Sequence, residues 1–405
     1  MRTLKLLFRL LLQVQGVVVT GARIDEQAEV VEVTIRRRSN AKPRCPNCGK
    51  VMGGNIQTHK RVWGHLNIMK GRTLLVYDIR EGCCPVHGRR IESVPWAEGA
   101  ANHTKEFDRQ VVSLAQVADR TAVARMFGVC WRTVGRMVKR VVDQFLPSNL
   151  LDDLTAIGVD ETSYKRGHRY LTVVVNLTQG IVVWVGEGKS EETLDKFFKA
   201  LGPERSKKIE VVTMDMSEAF KNSVEKNAPQ AELVYDRFHV VKLMLEAVDE
   251  IRREECRELE EEPRKALKGT RFVFLKNPAR YNAKDRAAVE WIKKINRRLA
   301  RVYELRVDFE EAWRQKTDKD AESFLMRWTR SALMSRREPL MRFARTVRKR
   351  MAGIVNYFKH LGLSNAALEG TNNKIKLLIH RSYGFHNVSS LIAMIQLCCS
   401  GITLE

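Results

Sequence analysis

TAIGVD (155–160), YLTVVVNLTQGIVVWVGEG (170–188), KKIEVVTMD (207–215) and ELVYD (232–236) set the fold class. Each run is short, apolar and rich in β-branched residues, as buried strands are. The second run holds two strands folded about Asn176-Leu177-Thr178-Gln179-Gly180, a hairpin turn. After it, Ser190-Glu-Glu-Thr193 carries an N-cap signature and opens a helix through Leu201. A second helix spans residues 218–227. The order is strand, strand, strand, helix, strand, helix, strand, which predicts an α/β domain. Two of these strands end in an acid, Asp160 and Asp215. Neighbouring strands with such tips bring two carboxylates close together, which is unfavourable unless a cation sits between them. Hard oxygen ligands suit Mg²⁺. Two such ions sharing carboxylates clamp the attacking and leaving oxygens of a phosphodiester displacement.

Outward from this block, the chain has 405 residues, with 71 Lys and Arg against 48 Asp and Glu, a net charge of +23. That length corresponds to two to four domains at about 100–200 residues each. Apolar residues make up 44%, enough for a sizeable core, so bulk disorder is excluded. With 24 Gly, 10 Pro and 8 Cys, collagen-like and disulfide-dense scaffolds are excluded too. The positive surplus points to a polyanion, nucleic acid above all; a merely basic protein is the plain alternative. No stretch suits a membrane span, and no membrane partner is expected. Residues 4–19 are apolar-rich, but Lys5, Arg9, Gln13 and Gln15 interrupt them. They read as a short amphipathic helix followed by a strand at 16–23 rather than as a signal peptide. Four of the cysteines (Cys45, Cys48, Cys83, Cys84) fall in one N-terminal region, which suggests a reducing cytosol and a metal site rather than disulfides.

VVEVTIRRR (30–38) and TLLVYDIRE (73–81) alternate as half-buried strands do. Beside them lie Cys45-x2-Cys48 and Cys84-x2-His87, two close ligand pairs of the kind a tetrahedral zinc takes. Pro46, Gly49 and Gly88 suit tight knuckles, and a β-hairpin would close the long gap between the pairs. Cys83 competes with Cys84 as third ligand, with the spacing to His87 favouring Cys84. The expectation is one structural Zn²⁺.

TAVARMFGVCWRTVGRMVKRVV (121–142) has the packing skeleton of a helix-turn-helix: Ala124 lets the helices approach, Gly128 takes the turn, Val134 seals the second helix. Val123, Phe127, Met137, Val138 and Val141 form its apolar face. Arg132, Thr133, Arg136, Lys139 and Arg140 form its DNA-binding face, with the first three reaching base edges and the last two phosphate.

Several separated motifs then resemble one family. The strand order with its aspartates is that of the ribonuclease-H-like core of DDE transposases. GVDETSYKRGHRYLTVV (158–174), VVTMDMSEAFKNSV (211–224), VYDRFHVVK (234–242), FLMRWTRSAL (324–333), NYFKHLGLSNAALEGTNNKIK (356–376) and RSYGFHN (381–387) are similar to those of insertion-sequence transposases of the ISL-three type. The resemblance covers nearly the whole chain. It implies catalytic, Mg²⁺-holding acids at Asp160, Asp215 and Glu369, with two Mg²⁺ or Mn²⁺ ions. It also implies double-stranded DNA partners (element ends and target), a homodimer or higher oligomer on DNA, and a bacterial cytoplasmic setting. The implied layout is a zinc-binding module (1–100), a helix-turn-helix domain (101–150), the first part of the core (151–240), an all-helical insertion (241–360) and core helices carrying the catalytic Glu (361–405). One departure is Cys84-x2-His87, where the family usually has a second Cys-x2-Cys. The rival expectation is a domesticated, non-catalytic DNA-binding regulator that keeps only the zinc and helix-turn-helix parts.

The residues around the third acid are consistent with this. Ser364 or Asn365 can cap a helix from Ala366, on which Glu369, Asn373 and Lys376 share a stripe. Asp236 and His239 are further candidates for active-site support. Glu161 points to the other side of its strand from Asp160. Trp313 and Trp328 read as core, with base stacking as the alternative. Residues 327–350 carry nine Arg and Lys and one acid, Glu338, either a phosphate track or a solvated face.

Overall fold

Val33, Trp63 and Leu75 meet across three strands with no exposed surface, and the N-terminal sheet forms around them. A computed structural model describes residues 12, 14, 16–38, 41–68, 71–360, 366–382, 384, 385 and 387–404, apart from the side chains of 262, 263, 266 and 366. The N-terminal helix and the cap at Ser364 or Asn365, both expected from sequence, lie outside the described residues. The chain divides into two units, Met1–Pro147 with Arg381–Glu405, and Ser148–His380.

In the first unit, β1 (Val17–Asp25), β2 (Val30–Arg37), β3 (Gly53–Ile68), β4 (Gly71–Cys84) and β5 (Gly88–Ile91) form a sheet ordered β1-β2-β4-β3, with β5 on β4. Only β2 and β4 run parallel. Trp96 closes the core edge-on against Trp63 and Tyr77, at 5.8 and 5.1 Å between ring centres. Strand β3 escaped the sequence reading because its first half buries no side chain: residues 53–60 pair with β4 but are exposed and carry no alternation to detect. Together β3 and β4 make the expected hairpin, with Gly53 opposite Cys83.

Three helices follow: α1 (Lys105–Ala115), α2 (Arg120–Phe127) and α3 (Trp131–Phe145). Asp119 caps α2 by accepting from the Thr121 and Ala122 amides, both at 2.9 Å. Gly128 ends it at φ +64°, the left-handed turn a glycine takes without strain. Val123, Val134, Met137, Val138 and Val141 are buried as expected.

The second unit has a sheet of β6 (Ala156–Lys165), β7 (Arg169–Asn176), β8 (Ile181–Glu187), β9 (Val211–Met214) and β10 (Glu232–Tyr235), ordered β10-β9-β6-β7-β8. Strands β6 to β8 are antiparallel neighbours, while β9 and β10 run parallel to β6. Helices α4 (Glu191–Leu201), α5 (Pro203–Ser206) and α6 (Glu218–Asn227) connect the later strands. From residue 237 to 359 the regular elements are all helices: α7 (Arg237–Glu258), α8 (Glu261–Lys268), α9 (Arg271–Leu275), α10 (Ala283–Ile295), α11 (Arg297–Glu310), α12 (Asp318–Leu333), α13 (Glu338–Lys349) and α14 (Met351–Lys359), with two short 3₁₀ turns. Helix α15 (Ala366–Arg381) returns to the sheet. The last helix, α16 (Val388–Cys399), groups with the first unit, where the Gln116 amide donates to the Leu397 carbonyl at 3.2 Å. The sequence predicts it among the core helices at 361–405, and its apolar face does not say which surface it covers.

Trp313 and Trp328 are core, 8% and 4% exposed. The Trp328 indole donates to the Leu305 carbonyl at 2.8 Å, and both rings surround Phe309. The basic run 327–350 is largely spent on internal pairs: Arg337 with Glu255, Arg342 with Glu250, Arg345 with Glu338, and Lys349 and Arg350 with Glu218. Among the described residues no helix is long and apolar enough to cross a membrane.

Candidate functional site

Strand register aligns the acids. Val159 of β6 stands beside Met214 of β9, and Met214 beside Tyr235 of β10. One residue beyond this row come Asp160, within β6, and Asp215 and Asp236, just past the ends of the adjacent β9 and β10. Asp160 does not end its strand, as the sequence suggested. β9 stops at Met214, but β6 runs on to Lys165 because β7 continues to pair with it, with Asp160 opposite Val173.

Gly158, Asp160 and Thr162 share one face of β6, by the two-residue period of a strand. Helix α15 lies on that face. A Cβ on Gly158 would come within 2.9 Å of Leu177 and 3.3 Å of Leu368, so only glycine admits the helix this close. One turn after Leu368, the Asn372 side chain donates to Asp160 Oδ2 and accepts from the Thr162 hydroxyl at 3.2 Å. The other Asp160 oxygen, Oδ1, accepts from the Glu161 amide at 2.7 Å. Burial holds the Asp160 carboxyl above its ordinary range, and the charge of Asp215 adds to this. The Glu161 amide, the nearby His239 and the Asn372 amide pull the other way. Glu161 itself points elsewhere, 3.4 Å from Lys189.

Asp215 Oδ1 accepts from the Ser217 amide at 3.0 Å. Asp236 caps α7, accepting from the Phe238 amide at 2.9 Å, and lies 3.9 Å from His239. Glu369, Asn373 and Lys376 are exposed on α15. The three carboxylates expected to act together are not drawn into one tight ligand cluster in this arrangement; among the described residues only the cysteine group below is.

Two residues of this site escaped the sequence reading. Asn372, and not Asn373, faces Asp160. The phase of α15 was legible in its apolar stripe, since Leu368, Ile375 and Leu378 are buried and Asn372 falls within it. The other is Arg350, read only as part of a basic run. It donates to the Met216 carbonyl and to Glu218 (2.7 Å), and its guanidinium lies 5.4 Å from the Tyr235 ring centre. It thus ties the loop after Asp215 to the end of β10.

In the first unit, the ligand atoms of Cys45, Cys48, Cys84 and His87 all lie within 4.8 Å of one another. Cys48 Sγ is 3.6 Å from Cys84 Sγ, and His87 Nδ1 is 3.7 and 3.8 Å from Cys45 and Cys84 Sγ. A tetrahedral zinc with bonds of about 2.3 Å sets its sulfurs about 3.8 Å apart, so the donor set and spacing fit. Gly49 and Gly88 take left-handed turns at the knuckles, φ +69° and +67°. Burial works to raise the Cys84 thiol, but hydrogen bonds from the Val86 and His87 amides, the His87 ring and Cys48 together bring the pKa down to about 6. Cys83 is exposed and outside the group.

On α3, Arg132 and Arg136 are exposed and Thr133 half-buried. Arg136 donates to the Thr133 hydroxyl at 3.1 Å. Lys139 pairs with Asp143 at 3.0 Å. Arg140 turns inward, against expectation. Its guanidinium donates twice to Asp108 of α1, at 2.5 and 3.0 Å, because that buried carboxylate needs a cation.

Residues 157–395 match a transposase family, and residues 92–142 match the helix-turn-helix domain of transposase family ISL3. The chain is 33% identical over 392 residues to the transposase of insertion sequence element IS1557 from Mycobacterium tuberculosis, covering 91% of this chain and 88% of the relative. It is 29% identical over 347 residues to the transposase of insertion sequence element IS1001 from Bordetella parapertussis, covering 85% of each.

Proposed function

Since the chain belongs to the transposase family ISL3, we propose that it cuts and joins DNA at the ends of an insertion sequence by a DDE mechanism. The observation that carries this is the sheet register, which puts Asp160 and Asp215 each one residue past the paired Val159 and Met214. The sheet order β10-β9-β6-β7-β8, with one antiparallel side and one parallel side, supports a ribonuclease-H-like core. The run of helices from 237 to 359 is its insertion.

In this reading Asp160, Asp215 and Glu369 hold the divalent ions. Their hard oxygens suit Mg²⁺ or Mn²⁺, and the crowding of Asp160 by Asp215 is of the kind a cation relieves. Bound there, two ions supply Lewis-acid charge to the reacting phosphate. Asn373 and Lys376, exposed beyond Glu369, hold the DNA phosphate. His239 lies near Asp160, and Asp236 caps the helix that carries it. At this site water attacks the phosphodiester at the element boundary, leaving a 5′-phosphate and freeing a 3′-hydroxyl; that hydroxyl then attacks a target phosphodiester and displaces a 3′-hydroxyl of the target strand. Cys45, Cys48, Cys84 and His87 hold one structural Zn²⁺. The zinc module and α3 recognise the element ends, and the protein works as a homodimer or higher oligomer on DNA in the bacterial cytoplasm.

Incubating the purified chain with duplex carrying its own element ends tests this. The expected result is a nick with a 3′-hydroxyl at the element boundary that requires Mg²⁺ or Mn²⁺. End binding without any metal-dependent nick overturns it and favours a DNA-binding regulator.

A further inference from the structure

Asn372 is 7% exposed, lies on the helix that carries Glu369, and is held by two hydrogen bonds to β6. We propose that it is a positioning residue for metal binding: its amide fixes the Asp160 carboxylate and sets how α15, and with it Glu369, sits on the sheet. This rests on the reading of Asp160, Asp215 and Glu369 as the metal-holding acids.

The polarity of the contact follows from the donors and acceptors available. An ionised Asp160 only accepts, so it must face the amide nitrogen; Thr162 can donate its hydroxyl hydrogen to the amide oxygen. Thr162 therefore selects the rotamer of Asn372, and Asn372 selects that of Asp160. With Glu161 donating to Oδ1 and Asn372 to Oδ2, neither oxygen of Asp160 is free to swing. Each keeps lone-pair capacity for a metal ion. A partner that orients a ligating carboxylate in this way typically changes metal affinity by about 10–100-fold when removed. Asn372 also locks rotation. Leu368 sets the depth of α15 against Gly158, and Asn372, one turn on, sets its phase. Asn373 in that place would turn Glu369 about 100° away.

The test uses the full-length chain and four variants: Asn372→Ala, Asn372→Leu (close in size, without the amide), Thr162→Val and Asp160→Ala. Mn²⁺ binding is titrated calorimetrically without DNA, and end cleavage is measured across a Mg²⁺ series. Thermal melting and end-DNA binding report on folding. Both Asn372 variants should bind Mn²⁺ about tenfold more weakly and need correspondingly more Mg²⁺ for half-maximal cleavage. Thr162→Val should shift the same way by less, and end binding should not change. Wild-type Mn²⁺ affinity in Asn372→Leu and Asn372→Ala, with Asp160→Ala losing binding, overturns the role of Asn372 and leaves the acid site standing. A wild-type chain that binds no Mn²⁺, or binds it unchanged in Asp160→Ala, overturns the acid reading itself. Lowered melting with an unmoved metal midpoint makes Asn372 a packing residue and also overturns the inference.

Discussion

Arg140 shows how one side chain changes sides between sequence and structure. On a helical wheel it belongs to the basic face of α3, yet its charge is committed to Asp108. Burial pushes the Asp108 carboxyl up, and Arg140 opposes that. Arg140→Ala leaves a buried carboxylate unpaired and should destabilise the first unit by about 3 kcal/mol. Denaturant unfolding measures the loss, and Asp108→Asn in the same chain should recover part of it. The salt dependence of DNA binding by the folded protein should keep its slope, as a phosphate contact would not allow. His65 gives a pH-dependent counterpart. It is 2% exposed, 2.8 Å from the Thr104 hydroxyl, and burial holds its imidazole below the ordinary value. The unfolded chain takes up a proton near pH 6.5, the folded ring only at lower pH, so stability is full above about 6.5 and falls as pH drops below it. Melting midpoints at pH 7.5 and 5.5 should show a larger fall in wild type than in His65→Asn.

At the scale of elements, the strands and helices that pack on a core were legible and those that do not were silent. β2, β4 and the five strands of the second sheet alternate or run apolar because they line a core; the outer half of β3 does neither. The helix-turn-helix was readable from three small residues because each answers one geometric demand. The Cys45, Cys48, Cys84 and His87 group was readable from spacing, and the buried Cys84 thiol is the one that the spacing to His87 favours over the exposed Cys83. A Cys45→Ser, Cys48→Ser double variant should lose its zinc by elemental analysis, and unchanged stoichiometry would place the metal elsewhere. On α3, Arg132→Ala and Arg136→Ala should each cost about 1–3 kcal/mol on element ends and less on random duplex. Equal losses on both duplexes in filter-binding titrations would mean that this helix grips only backbone.

For the molecule as a whole, the net charge of +23 pointed to nucleic acid, but not to where the charge is available. Much of the run at 327–350 is tied to acids far away in sequence, such as Glu218, Glu250 and Glu255, which no local pattern reveals. The three acids proposed for catalysis likewise come from one strand, the residue after another and a helix, and only β-sheet register and the phase of α15 relate them. The most direct measurement is strand cleavage and end binding, side by side, for Asp160→Ala, Asp215→Ala and Glu369→Ala. Each variant should bind element ends as wild type does and give no Mg²⁺-dependent nick, because these carboxylates act in the chemical step alone. A Glu369→Ala protein that still cuts at near wild-type rate would contradict the three-acid site.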